Sequence, residues 1–245
     1  MLITADVEAA RRTEVVKPVH DQPYRIWDYI GDAPDPEAPG YGTDLAANRA
    51  GGGAMRPQAY LVRQPPGSVT RPHFHQTNQF QVFVDGGGTV GKLRVDPVTV
   101  QYAGANTPYG PINAEAAGVD YFTLRQDWDS GAKWMPERRD VLVRGVQRQS
   151  VGAATGGDAV ETLIEAAADG LLALCIRLAP DAETTLPAAD AGGGQYHVVT
   201  AGGLVRDGRL LGRLSVEFAS PDAGAVPVKA GPAGLELVLA RFPRA

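Results

Sequence analysis

One register repeats along this chain. At a constant offset of 116 residues, without gaps, Gln79–Gly87 lies over Gln195–Gly203. The same offset lays Val98–Ala103 over Leu214–Ala219, and Gly118–Arg125 over Gly234–Arg241. Three separated strand-like runs held in one register point to an internal duplication of a β unit. Each run has the β-branched and aromatic residues of a strand and is bounded by Gly, Pro, Asn or Asp. The chain carries 30 glycines and 19 prolines, a usage that suits many short strands between turns rather than a helical bundle.

The chemistry concentrates in the first copy. His73 and His75 form a His-x-His pair in PPGSVTRPHFHQTNQFQVFVDGG, Pro65 to Gly87. Alternation along an extended chain sets both imidazoles on one face, ~7 Å apart along the backbone. Gln79 and Gln81 share one parity of the following run, with Phe80, Val82 and Val84 on the other. The second copy drops the pair: the offset maps His73 onto Ala189 and His75 onto Ala191, which are expected to line a pocket without metal. His197 falls opposite Gln81 and reads as structural, as does His20.

The stretch from Gly67 to Gly86 resembles the first motif of the cupin superfamily: a glycine, five residues, His-x-His, three or four residues, a glutamate, six residues and a glycine. Gly67, His73, His75 and Gly86 meet that spacing, with Gln79 at the glutamate position. The second family motif, Pro-x-Gly, two residues and a histidine, is similar to Pro108-Tyr109-Gly110-Pro111-Ile112, with Asn113 at the histidine position. The resemblance covers roughly residues 58 to 125 and 174 to 241 and is to the bicupins, in which two small barrels are fused. It implies an all-β fold of two jelly-roll (double-stranded β-helix) barrels, the second degenerate.

The resemblance also implies a divalent transition metal (Fe, Mn, Ni or Zn) held by His73 and His75, with Gln79 and Asn113 at the other two ligand positions. Amide oxygens are weak ligands for such ions. The site is therefore expected to bind metal weakly, or to have lost it and been re-used. Gln79, Gln81, Arg63, Tyr102 and Tyr109 are the candidate substrate-binding residues, with Tyr121 and Arg94 as further candidates; no catalytic residue is assigned. Two functions stay open: a metal-dependent small-molecule enzyme (dioxygenase-like, or a lyase or isomerase) acting on an oxygen-bearing organic substrate, and a non-catalytic cupin that binds a small metabolite.

The rest of the chain divides as an N-terminal arm with a long loop (1–57), a front barrel (58–127), a linker and the start of the second barrel (128–160), and the degenerate barrel (161–245). A short helix is expected near Ala5–Arg12, VETLIEAAADG reads equally as helix or strand pair, and residues 31–53 read as a lid or as disorder. The arm or a second copy of the chain, in a homodimer, is expected to cover an exposed sheet edge. A net charge of −5 with no basic stripe argues against nucleic acid. No apolar run reaches spanning length, so no membrane partner is expected. The opening MLITADVEAARR lacks the order of a secretory leader, and the one cysteine, Cys175, sits in the apolar run LLALCIRL, so the expected location is the cytoplasm.

Overall fold

The computed structural model describes residues 1–38, 40–43, 56–145 and 147–244. The chain forms two compact units: Thr13–Val151, and Met1–Arg12 with Gly152–Ala245. In the first, the sheet runs in the order Gln149–Ala153, Thr99–Ala103, Gln79–Val90, Ile112–Arg125, Gln58–Gln64, Gln22–Ile30, Val15–Val19. The two long strands at its centre pair antiparallel, with Gln79 opposite Arg125 and Gln81 opposite Thr123. Inward-facing Tyr24, Ile26, Val62, Phe83, Ile112 and Tyr121 belong to one buried cluster that fills the barrel beyond the polar layers.

The second unit repeats this plan. Its sheet runs Leu2–Ala5, Val216–Ala219, Gln195–Arg206, Pro227–Arg241, Leu172–Leu178, Val160–Ile164. Gln195 lies opposite Arg241, as Gln79 lies opposite Arg125. His197 lies opposite Glu217, as Gln81 lies opposite Gln101. The offset read from the sequence is thus the register of the strands. The second core is aliphatic, built from Leu172, Leu174, Val199, Leu237, Leu239 and their neighbours.

Both barrels turn the same corner with the same glycines. Gly86 and Gly118 have φ of 67° and 78°, and Gly202 and Gly234 have 66° and 81°. A methyl group at Gly86 would meet the carbonyl oxygen of Gly118, and one at Gly202 that of Gly234. The two long strands cross here with no room for a side chain, beside the irregularity in their pairing between Ala114 and Val119.

The division of the chain differs from the sequence-based one. Residues 1–57 are not a separate arm: Leu2–Ala5 covers the edge strand Val216–Ala219 of the second unit, whereas Val15–Val19 and Gln22–Ile30 extend the sheet of the first. Residues 128–151 belong to the first unit rather than to a linker. The pairings of Leu2–Ala5 with Val216–Ala219 and of Gln22–Ile30 with Gln58–Gln64 are non-local and leave no local signature, whereas Val15–Val19 and Gln22–Ile30 form a tight hairpin through His20 and Asp21. The helix is Val7–Arg11, capped by Asp6, whose carboxylate accepts from Glu8 N at 2.6 Å. Val160–Ile164 is a strand. Of the loop 31–53, residues 39 and 44–53 lie outside the described residues. No helix among the described residues is long and apolar enough to cross a membrane.

The glycine corner gives a stability prediction. Gly86→Ala and Gly202→Ala should each lower the denaturation midpoint by the equivalent of at least ~2 kcal/mol, since left-handed strain adds to a backbone collision. Gly67→Ala, with φ of 67° but nothing within 4 Å, should cost only about 1 kcal/mol. Equal losses at Gly67 and Gly86 would show that strain alone, and not the crossing, sets the corner.

Candidate small-molecule site in the front barrel

His73 is held from two sides. The short strand His73–Phe74 pairs with Lys133–Trp134, and His73 exchanges backbone bonds with Tyr109 at 3.1 and 3.0 Å. Its ring lies 4.5 Å from that of Tyr109 and 5.1 Å from that of Trp134, centroid to centroid. The His75 ring is 5.3 Å from it. Both imidazoles are buried and both line a cavity of about 90 Å³.

A continuous hydrogen-bonded chain joins them. His73 Nδ1 lies 2.8 Å from the carbonyl of Arg71, which can only accept, so Nδ1 carries the proton. The Nε2 lone pair then accepts from the Tyr109 hydroxyl at 2.9 Å. That hydroxyl oxygen accepts from Gln79 Nε2 at 2.6 Å, and Gln79 Oε1 accepts from Arg125 Nη2 at 2.6 Å. His75 Nδ1 donates to Asp129 Oδ1 at 2.8 Å, and Arg125 Nη2 lies against the imidazole, 3.2 Å from each of its two nitrogens. Arg125 Nη1 donates to Tyr60 Oη at 2.9 Å. Asp129 is held in turn by Gly131 N at 2.9 Å, Gln76 N at 3.0 Å and Lys133 Nζ at 3.4 Å.

Burial fixes the charge states. It pushes His73 down to about 4 and His75 down to about 3, and the charge of Arg125 pushes both the same way. Burial alone would raise Asp129, but His75, Arg125 and Lys133 together hold its carboxyl well below the usual carboxylate range. Burial lowers Lys133 against the pull of Asp129 and drives the Tyr109 phenol well up, so Tyr109 stays a neutral donor. The fixed charges are therefore Arg125 and Asp129, with Lys133 behind them. The cavity wall itself carries the cations Arg125 and Lys17 and no carboxylate among the described residues.

Several sequence candidates stand elsewhere. Asn113 does not line the cavity: its amide donates to Thr89 Oγ1 at 2.9 Å. Tyr102 has the opposite strand parity to Gln101, stacks on Phe80 at 5.1 Å and donates to Asn78 at 3.1 Å. Arg63 pairs with Asp120 at 2.8 Å and lies over the Trp27 ring, with its side chain 40% exposed. Arg94 is bound outside by Asp96 and Glu115. Gln79, Gln81, Tyr109 and Tyr121 do line the cavity. Ala189 and Ala191 sit on a short 3-10 turn, with Ala189 packed in the second core.

The donor set does not fit a divalent metal ion as it stands. His73 Nε2 is engaged by Tyr109, the Arg125 guanidinium lies against the His75 ring, the Gln79 oxygen is turned to that guanidinium, and Asn113 is absent from the wall. Among the described residues no three His, Cys, Asp or Glu side chains converge as a ligand group. A permanent cation, Arg125, stands where the two imidazoles and Gln79 meet. Sequence reasoning did not assign Arg125, Asp129 or Lys133. A signal for the first existed: Arg125 shares its parity with Tyr121 and Thr123, and an arginine recurs at Arg241.

Two imidazoles held neutral make stability depend on pH. In the unfolded chain they take up protons near 6.5, in the folded one only near 4 and 3. Their contribution is complete above 6.5 and lost as pH falls, by up to ~1.4 kcal/mol per pH unit for each histidine. Denaturation midpoints should fall from pH 6.5 to pH 4, and His75→Gln should make that slope shallower. An unchanged slope in the variant would place the acid sensitivity elsewhere.

The sequence matches no model of a known protein family and no curated protein. Solved structures match it in fold. The bacterial pirin YhhW from Escherichia coli, solved in complex with nickel(II), superposes with a TM-score of 0.58 at 12% identity, covering 100% of both chains. A putative dioxygenase from Nostoc punctiforme gives 0.59 at 10% identity over 98% of this chain and 83% of its own. Oxalate decarboxylase from Bacillus subtilis, studied for its Mn(II) centres, gives 0.58 at 10% identity over 100% of this chain and 78% of its own. All three are cupin proteins, and the likeness at these identities is one of fold. The repeated register, the shared glycine corner and these superpositions, which span nearly all of this chain, give it the fold of a bicupin, two jelly-roll barrels in one polypeptide.

Proposed function

We propose that the front barrel binds a small oxygen-bearing organic anion, in a cupin pocket whose cation is the side chain of Arg125 instead of a metal ion. The observation that carries this reading is the guanidinium itself, 2.6 Å from Gln79 Oε1 and 3.2 Å from His75 Nε2, at the meeting point of the histidine pair. A cavity wall with two cations and no carboxylate among the described residues favours a negative ligand, and its low-dielectric surroundings strengthen the attraction. The aromatic rings of Tyr24, Tyr60, Tyr121 and Trp134 supply apolar wall for a carbon skeleton. A volume of about 90 Å³ limits that skeleton to a few heavy atoms. The chain's own residues then bind and orient: Arg125 supplies charge, Tyr109 and Gln79 hold its position, and Asp129 fixes the tautomer of His75.

A second reading is a metal-dependent enzyme, dioxygenase-like or a lyase or isomerase. One observation favours it. Both histidines have Nδ1 fixed by an outer acceptor and Nε2 aimed inward, the orientation that metal-bound imidazoles take. Nickel in the pirin neighbour and Mn(II) in oxalate decarboxylase lie in the same direction. It requires Arg125 to leave its partners.

Metal analysis separates the two. Protein purified without an affinity tag should hold far less than one transition-metal ion per chain, and one ion per chain would favour the second reading. Calorimetric titration with butanoate should show binding that Arg125→Met abolishes and Arg125→Lys keeps in weakened form. The methionine variant should also lose roughly 3–5 kcal/mol of stability, since it leaves Asp129 and its network short of a buried charge partner. The lysine variant keeps the charge and guards against a mere folding defect. Butanoate binding unaffected by either change would sink the assignment.

A further inference from the structure

One polar layer of the front barrel is left open. Gln81 and Gln101 face each other in register on neighbouring strands, 2% and 1% exposed. Gln81 Oε1 has no hydrogen-bond partner among the described residues, and neither end of the Gln101 carboxamide has one. Gln81 lines the cavity. A buried polar atom left unbonded costs more than a made hydrogen bond returns, so three in one layer call for a partner that the chain does not supply.

The second barrel shows the same two positions closed. There His197 Nδ1 lies 3.3 Å from Glu217 Oε2, and Arg206 holds Glu217 at 2.7 and 2.9 Å. His197 Nε2 is met by Gln195 at 3.0 Å. The fold can satisfy this layer from within, and in the front barrel it does not.

We propose that Gln81, backed by Gln101, reads a hydroxyl group on the bound anion, so that the ligand is a short hydroxycarboxylate. This rests on the reading of the pocket as an anion site. Gln81 Oε1 asks for a donor, and the Gln101 amide beside it offers both a donor and an acceptor. A hydroxyl meets both needs; an ammonium donor would bring a second positive charge toward Arg125. The layer of Gln81 and Thr123 is two residues along the strands from that of Gln79 and Arg125, ~6.5 Å away. That spacing separates the hydroxyl from the carboxylate by a few carbons.

The test is calorimetric titration with two acids differing in one hydroxyl, butanoate and 4-hydroxybutanoate. The wild type should bind the hydroxy acid about five- to tenfold more tightly, the worth of one hydrogen bond to a buried amide. Gln81→Met, close in shape and without the amide, should bind both acids alike and melt at the same or a higher temperature. Gln101→Met should reduce the preference in the same direction. Equal binding of both acids by the wild type would overturn the hydroxyl assignment while leaving the anion site standing, an ordered water then filling the layer. Preference surviving in Gln81→Met would overturn it as well. Failure of both acids to bind the wild type would overturn the anion reading and this inference with it.

Discussion

A guanidinium buried inside a small β barrel has to be matched on every side. Arg125 is 1% exposed, and its donors reach Tyr60, Gln58, Gln79 and His75. Asp129, itself fully buried, balances the charge through His75 and ties the segment 127–134 to the barrel. The geometry of every other polar group follows. With the guanidinium on Gln79 Oε1, the Gln79 amide nitrogen must point at Tyr109, and the Tyr109 proton must then go to His73. Removing one member leaves the others buried and short of a partner, the condition in which such networks are most costly.

The two barrels show how one scaffold takes two interiors. Gln195 and Arg241 keep the register of Gln79 and Arg125, but Arg241 turns to the carbonyls of Gly170 at 2.8 Å and Ala188 at 3.2 Å. With backbone as its partner, it binds no second side chain across the barrel among those bonds. The space is taken by an aliphatic cluster and by the closed group of His197, Glu217 and Arg206. The same strands with the same glycine corner therefore give a packed core in one half and a polar cavity in the other. Function here is set by a handful of inward positions, not by the fold.

Much of the architecture was legible because it is written twice. A strand pairing fixed by two crossing glycines tolerates no insertion, so the offset between copies survives and aligns Gly86 with Gly202 and Gly118 with Gly234. The histidine pair was legible by its spacing to Gly67 and Gly86. What was not legible depends on contacts distant in sequence. Leu2–Ala5 lies against residues more than 200 positions away, and nothing in LITA names its partner. Asp129 and Lys133 sit in WDSGAKW, which reads as an aromatic linker until Lys133 is seen opposite Phe74. Asn113 was misplaced by motif spacing alone: it lies one residue into its strand, opposite Thr89, and its amide donates to the Thr89 hydroxyl instead of facing the cavity.

Gln79 and Arg125 make better sense as a pair than either does alone. The pattern that this stretch resembles carries a glutamate where Gln79 stands, a charge that would help hold a doubly positive ion. A glutamate there, beside Asp129, would place two carboxylates against one guanidinium. A neutral amide instead offers Arg125 an acceptor without adding charge, and its other end can still donate to Tyr109, which a carboxylate cannot do. With Lys133 protonated, Arg125 and Lys133 outnumber Asp129 by one positive charge, and Lys17 adds another at the cavity wall. Among the described residues the excess has no carboxylate in the wall to meet it. On the proposed reading an anion from solution would meet that condition, and the neutral amide of Gln79 would leave the place for it.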